Sequence, residues 1–420
     1  MSHFAYVWLV STVLRPRKHP LHGIRQVSVD YEHDLFSVVL DDLIIHTHRL
    51  SQPFEPGIVR RIDLDARGLV AEFRTGSSTF TVELGRADNV SEIPVVYLDQ
   101  NHWIDFARWE ISPSLVSPEK GVVFSLLHES AAEGKLLLPA SSANFLEAYH
   151  RGLSKREDLV NTILRNSRGW QLRHAVAVRR LELAALFGAP PPTRAQVVTL
   201  EGKAAFQGLR LQHPTDLDDP DLTELLDRLS WATALASALL SGEDRGKGRQ
   251  AAEEWAYSFP PLQQQFRHNH KLKARSRTAT RLRFVADLGE DLPRAAAMNG
   301  ASPEDFRRLL EDESEEAFRS LPGLGRIREI LHLRLVNPDD HWEGNDLNDL
   351  MYLPYAAGYC DLVLGEKKTV NYLKRTVHTV PPGAALHYRA HDALPDLEEL
   401  LNRHLQIGRA VQQECRDRYR

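Results

Sequence analysis

The residues best placed to do chemistry are carboxylates that follow short apolar runs. In Val95-Val96-Tyr97-Leu98-Asp99-Gln100-Asn101-His102 an acidic residue closes an apolar segment and helical periodicity begins at once. Asp99 is thereby expected at the carboxyl end of a buried strand, where open α/β sheets collect ligands and where a metal would sit. Asn101 can hydrogen-bond back to fix the turn, or cap the helix. A second string, Leu136-Leu137-Leu138-Pro139-Ala140-Ser141-Ser142-Ala143-Asn144-Phe145-Leu146-Glu147, reads as a strand, a serine cap and a helix carrying Glu147. A third, Asn345-Asp346-Leu347-Asn348-Asp349-Leu350, sets Asp346 and Asp349 on one helical face. In a fourth, Cys360-Asp361-Leu362-Val363-Leu364-Gly365-Glu366-Lys367-Lys368, an apolar strand ends at an acidic residue that opens the next helix. Hard divalent cations choose carboxylate oxygens, and they both neutralise phosphate charge and make a nucleophile from water.

The elements that must position these groups alternate. Ile93–Leu98 is a continuous apolar run of the kind that lies buried on both faces of a parallel sheet. Helices are expected at His102–Trp109, Gly121–Gly134, Ser142–Gly152, Asn345–Ala357 and Lys367–Arg375, with strands at Leu136–Leu138 and Leu362–Leu364. Strand–helix alternation is the α/β signature. The stretch 153–339 is almost wholly helical in pattern and interrupts that core, which is thus split into 93–152 and 340–378. Residues 1–92 carry seven short β-type runs, at Tyr6–Val13, Val27–Tyr31, Phe36–Leu40, Leu43–His48, Val59–Leu64, Leu69–Phe73 and Thr79–Leu84. They suggest a small barrel or sandwich that serves binding or assembly. The extension 379–420 is irregular until a helix at Asp396–Leu405.

The order of these four strings resembles the PIN-domain and PIN-like nuclease superfamily. Asp99 with Asn101 matches its first element, Glu147 its second, Asp349 (with Asp346 close behind) its third, and Glu366 its fourth by spacing. The family usually has Asp at the fourth place, often after Thr, so Gly365-Glu366 departs from it and Asp361 is an alternative donor. The likeness covers 93–152 and 340–378. It implies a three-layer α/β domain with a parallel sheet, and hydrolysis of phosphodiester bonds with Mg²⁺ or Mn²⁺, RNA favoured over DNA. Products would carry a 5′-phosphate and a 3′-hydroxyl. In this reading Asp99 is the central ligand, Glu147 and Asp349 flank it, and Asp346 or Glu366 serves a second ion or orients water. A toxin-like or antiviral-defence role follows from the family's habit. The 1–92 region is then a candidate surface for an antitoxin or regulatory protein, and a homo-oligomer is compatible with it. The rival reading is a non-catalytic PIN-like module that binds protein or RNA.

Composition narrows the field. The chain has 420 residues, 42% hydrophobic and 26% charged, and a net charge of −5. That balance excludes a basic coat protein but not a local basic patch. Such a patch exists: 255–286 has no acidic residue, yet holds Arg267, Lys271, Lys273, Arg275, Arg277, Arg281 and Arg283, flanked by Phe266 and Phe284. It is expected to meet a phosphate backbone, with Lys367 and Lys368 contributing beside the crevice. His341 is a candidate to orient phosphate or water. Two cysteines, Cys360 and Cys415, leave no cysteine-based zinc site and fit a reducing compartment. The amino terminus lacks the pattern of a signal peptide and no run is long enough to span a bilayer, so a cytoplasmic protein without membrane contact is expected. Two Glu-x-x-His pairs, Glu147/His150 and Glu329/His332, evoke di-iron bundles, but Asp99 and Glu366 are expected at strand ends, which a bundle lacks.

Overall fold

The computed structural model describes residues 24–49, 59–65, 70–75, 79–83, 90, 92–144, 153–200, 204, 246–404 and 406. Six of the seven expected amino-terminal strands are present: β1 (Ile24–Asp30), β2 (Leu35–Leu40), β3 (Ile45–Arg49), β4 (Val59–Asp65), β5 (Val70–Thr75) and β6 (Thr79–Glu83). The expected strand at Tyr6–Val13 lies outside the described residues. Among those described, the strands form one antiparallel sheet in the order β3-β2-β1-β4-β5-β6, and its edge strands do not pair with each other. Among the described residues the amino-terminal segment is thus a six-stranded open antiparallel sheet. Alternation along the strands gives it one apolar face: Val27, Ile62, Leu64, Ala71 and Phe73 are buried. They join a single apolar cluster with Val96, Leu98, Trp103 and Phe106 of the next segment.

That segment starts a parallel sheet. β7 (Val96–Leu98) pairs with β10 (Leu362–Leu364), which pairs with β11 (Ala385–His387), all parallel. On the other side of β7, Leu137 forms a parallel bridge with Val95, so the expected Leu136–Leu138 strand is reduced to a single rung. Ala140 bridges in turn to β8 (Gln171–Leu172), which pairs antiparallel with β9 (Val198–Thr199). The two short strands β8 and β9 lie inside the stretch expected to be almost purely helical. β11 also falls where irregular chain was expected. Neither has enough residues for a period to show in sequence.

Both faces of the parallel sheet are covered. Val96, Leu98, Leu362 and Leu364 belong to one apolar cluster, while Val95, Tyr97, Val363 and Leu386 belong to another. Period-two alternation thus sends successive side chains to opposite cores, which is why the runs read as continuously hydrophobic. On the first face lie α1 (Gln100–Ile111), α2 (Pro118–Ala132) and α3 (Leu153–Ser167). Stacked rings join α1 to α2, with Trp103–Phe106 centroids 5.8 Å apart and Phe106–Phe124 5.2 Å. The second face carries α4 (Ala175–Ala185), α5 (Gly246–Tyr257), α6 (Pro260–His268), α7 (His270–Ala274), α8 (Ser276–Leu288), α9 (Asp291–Met298), α10 (Pro303–Arg308), α11 (Ser314–Arg319), α12 (Pro322–Leu335), α13 (Asn345–Tyr359) and α14 (Lys367–Thr376). The expected helix within 222–240 lies outside the described residues, and of the one at Ser142–Gly152 only 142–144 is described. Residues 394–404 form the last helix, close to the expected place.

Helix α12 holds this second layer together. Glu182 on α4 is fully buried, and its carboxylate accepts the Gly323 and Leu324 amides at the amino end of α12, each at 2.7 Å. It also accepts the Tyr359 hydroxyl from α13 at 2.7 Å. A carboxylate on exposed amides at a helix start satisfies groups that have no intrahelical partner. Lower on α12, Arg328 and Glu329 pair with each other and with Glu315 and Arg277. Glu329 of the second Glu-x-x-His pair is therefore an arginine partner, and the His332 ring lies 3.3 Å from the Thr280 hydroxyl.

Candidate active site

Asp99 follows the last residue of β7 and caps α1, its carboxylate accepting the Gln100 amide at 2.8 Å. Glu366 follows Gly365 at the end of β10 and stands at the cap of α14. Because Leu98 and Leu364 are register partners in adjacent parallel strands, both acidic residues emerge at the same sheet end. The Asp99 amide donates to the Leu364 carbonyl at 2.8 Å, which extends the pairing one residue past the strands. The nearby Glu366 backbone amide also favours the charged form of Asp99, whereas the Glu366 carboxylate lies close enough to repel it. Burial is the largest influence and, with that repulsion, pushes the Asp99 carboxyl up to about 6, against the lowering effect of the two amides. Among the described residues neither carboxylate makes an ion pair.

The other expected ligands separate into three groups. Asp349, on α13, is half-buried and accepts the Thr369 hydroxyl at 3.4 Å, which places it beside the first turn of α14. Glu147 lies outside the described residues. Asp346 is engaged elsewhere: it accepts Arg334 at 2.7 Å, Lys368 at 3.0 Å and the Glu343 amide at 2.7 Å. Burial opposes its charge, but Arg334, the amide and Lys368 together hold its carboxyl below the ordinary value. The expected second-ion ligand is thus the acidic half of a buried ion-pair network. Asp361 is corrected outright. It precedes β10, so it lies at the opposite sheet end from Glu366, accepting the Val95 amide at 2.8 Å and Arg194 at 2.6 Å. Strand direction separates the two acids that spacing alone left interchangeable.

Supporting residues shift as well. The cap of α1 is Asp99, and Asn101 is an exposed residue in the first helical turn. The His341 side chain is exposed, while its carbonyl accepts Arg334 at 2.8 Å and Lys368 at 2.9 Å. Three residues that sequence reasoning passed over lie nearer the carboxylate pair. His102 is buried, and burial, against a smaller opposing influence of the Gly365 backbone, pushes the imidazole down to about 4. Asn144 is fully buried, accepts the Ser141 amide and hydroxyl at 2.8 and 3.0 Å, and donates to the Leu98 carbonyl at 3.4 Å. Gln100 is buried with neither side-chain amide atom hydrogen-bonded among the described residues. A polar cluster inside an apolar strand–helix junction was the available signal for all three.

The basic stripe divides. Arg267, Lys271, Lys273 and Arg275 are exposed and Arg281 is half-buried, and among the described residues they make no ion pair. Arg277 pairs with Glu329 at 3.2 Å, and Arg283 pairs with Asp287 at 3.0 Å while lying over Phe259. Those two hold the helical layer together. Phe266 and Phe284 are core residues at 2% exposure, so they offer no face to a base. Lys368 is held by Asp346 and the His341 carbonyl, whereas Lys367 is exposed beside the Tyr388 ring. Gln263 ties the stripe to the site. From α6 it donates to the carbonyls of Asn337 and Asp340, and Asp340 lies 3.5 Å from Lys368, two residues after Glu366.

Among the described residues no three His, Cys, Asp or Glu side chains group closely enough to hold a metal ion. Asp99 and Glu366 supply hard oxygen donors, and the expected third, Glu147, lies outside the described residues. No protein-family model, no curated protein and no solved structure matches this chain. No helix among the described residues is long and apolar enough to cross a membrane.

Proposed function

We propose that the protein is a PIN-like, divalent-metal-dependent nuclease acting on RNA in preference to DNA. The observation that carries this reading is the Asp99–Glu366 pair: two carboxylates at the ends of adjacent parallel strands, without an ion-pair partner among the described residues. Keeping two such acids side by side costs free energy that a cation between them recovers. Asp99 and Glu366 would hold Mg²⁺ or Mn²⁺, with Glu147 and Asp349 as further donors. The bound ion would neutralise phosphate charge and supply a nucleophile from water. The chain's own residues do the rest. The Gln100 backbone amide aims the Asp99 carboxylate, Asn144 braces the Leu98 carbonyl beneath it, and the exposed bases of α6–α8 carry the nucleic-acid backbone toward the crevice. An antitoxin or other regulator bound to the amino-terminal sheet, and a defence role, belong to the same proposal.

A second reading is a PIN-like module that binds RNA without cleaving it. The capture of Asp346 by Arg334 and Lys368 favours it, because one acid of the expected set is already neutralised. An assay on single- and double-stranded RNA and DNA with Mg²⁺ and Mn²⁺, comparing wild type with Asp99→Asn, separates the two. Cleavage that disappears in the variant supports the nuclease. Identical traces from both proteins on every substrate reject it.

A further inference from the structure

The edge of β7 that faces away from β10 is finished by a side chain. Leu137 makes the backbone rung on that edge: its amide donates to the Pro94 carbonyl at 2.8 Å, and its carbonyl accepts the Val96 amide at 2.9 Å. In a continued parallel ladder the amides of residues 139 and 141 would follow, on the Val96 and Leu98 carbonyls. Residue 139 is proline, which has no N–H to give. The Ser141 amide is turned aside and donates to Asn144 Oδ1 at 2.8 Å. At the other end of the same side-chain amide, Asn144 Nδ2 donates to the Leu98 carbonyl at 3.4 Å. Asn144 thus bridges the gap that Pro139 opens, accepting from one side of the interrupted ladder and donating to the other.

The turn that presents Asn144 is itself held in place. Ser141 Oγ donates to Asn144 Oδ1 at 3.0 Å and lies 2.8 Å from the Tyr97 hydroxyl, and the Asn144 amide donates to the Ser141 carbonyl at 3.1 Å. Ser142 is hydrogen-bonded to the hydroxyl of Tyr352, three residues beyond Asp349 on α13. Ser141 and Asn144 are fully buried, so water does not compete for these bonds.

We propose that Asn144 is a positioning residue for Asp99: by holding the Leu98 carbonyl it fixes the peptide that carries Asp99 out of the sheet, and with it the place where the Asp99 carboxylate is presented. The N–H of that peptide is held from the opposite side, donating to the Leu364 carbonyl at 2.8 Å. A peptide bonded at both its C=O and its N–H cannot rotate about its flanking bonds without losing one of the two. Rotation would move Asp99 relative to Glu366, which leaves from the Leu364 strand end, and small misplacements of catalytic groups are costly in rate. The consequence in catalysis rests on the nuclease reading, whereas the brace itself does not.

The test compares Asn144→Leu, which keeps bulk and loses the brace, with Ser141→Ala, which loosens the turn but leaves the Asn144 donor in place. Circular dichroism establishes that both fold. Hydrogen exchange at the Asp99 amide, taken relative to the amides of α12, should be about tenfold faster or more in Asn144→Leu and within about threefold of wild type in Ser141→Ala. In Mn²⁺-dependent cleavage, kcat should fall about tenfold or more in Asn144→Leu with KM changed less than about threefold, and Ser141→Ala should keep most of the wild-type kcat. Unchanged exchange in Asn144→Leu overturns the proposal. Equal acceleration in both variants also overturns it, because loosening of the turn would then explain the effect. Faster exchange with an unchanged kcat overturns it as well, since the brace would then not set the carboxylate. A wild type that cleaves no substrate removes the nuclease reading, and the exchange measurement still decides whether Asn144 fixes the Asp99 peptide. If Asn144→Leu does not fold, Asn144→Ala takes its place.

Discussion

Asp99 and Glu366 stand one and two residues beyond the paired strand ends Leu98 and Leu364, and the amide of Asp99 donates to the Leu364 carbonyl at 2.8 Å. The same strand end thus anchors the Asp99 backbone and, through Glu366, sets a like charge beside its side chain. The amides fix geometry while the carboxylates oppose each other. A site of this kind is oriented by backbone and left electrostatically unbalanced, which is the condition a bound cation relieves.

The imbalance has a pH signature. A carboxyl raised to about 6 in the fold, against an unfolded value near 3.9, contributes stability below the unfolded value and loses it as pH rises through about 6. In metal-free protein, Asp99→Asn should therefore raise stability at pH 8 by up to about 3 kcal/mol, with the gain vanishing by about pH 4. His102 acts in the opposite sense, since its lowered value costs stability on acidification between the unfolded value and about 4. Only the difference between wild type and variant isolates Asp99. Urea unfolding at several pH values in the presence of a chelator measures it, and a variant less stable than wild type at pH 8 would refute the buried, unpaired carboxylate.

Asp346 is expected to matter for folding before chemistry. Arg334 meets Asp346 at 2.7 Å and Asp340 at 2.9 Å, all three nearly buried, with the Trp342 ring 3.9 Å from the guanidinium. Removing one partner of a buried pair leaves the other charge stranded, so Arg334→Ala should cost about 3–5 kcal/mol. Asp346→Asn should also destabilise, but should leave Mn²⁺ affinity within threefold of wild type when measured calorimetrically on folded protein. A loss of metal binding comparable to that of Asp99→Asn would return Asp346 to the ligand set.

Basic residues of the same stripe should behave differently. Replacing Lys271, Lys273 and Arg275 together by alanine should leave unfolding almost unchanged and reduce the slope of log affinity against log salt by about 2–3 on nucleic acid. Arg277→Ala should instead lower stability, because it removes one of the arginines that neutralise Glu329, which is 2% exposed. Fluorescence anisotropy across a salt series, beside thermal melts of each variant, distinguishes the two behaviours. A triple variant with the wild-type salt slope would end the role of that surface.

Glu182 provides a prediction about architecture. Its carboxylate joins α4, α12 and α13 through three hydrogen bonds in the core. Burial raises its pKa, opposed by the Gly323 and Leu324 amides and the Tyr359 hydroxyl. Glu182→Ala would leave two amides and a hydroxyl without their acceptor, at about 1–3 kcal/mol each before relaxation. A drop in the urea midpoint with an unchanged denaturant slope is the expected result, and an unaltered midpoint would show that water replaces the carboxylate without cost.

The sequence by itself determined the local elements. Continuous apolar runs marked β7 and β10, alternating runs marked the amino-terminal strands, and acids just past the runs marked Asp99 and Glu366. Each of those signals is local, because strand burial and helix capping act on neighbouring residues. What only the tertiary structure decided was which charges find partners. Asp346 and Asp361 read as ligands beside Asp99 and Glu366, yet Arg334 and Arg194 reach them from far along the chain. Arg277 read as a free base until Glu329 closed on it. Charge pairing and peptide orientation depend on which distant segments share a surface, and no spacing along the chain encodes that. The same holds at the amino end: strand periodicity fixes which face of the described sheet is buried, whereas how its edges are met depends on segments distant in the chain.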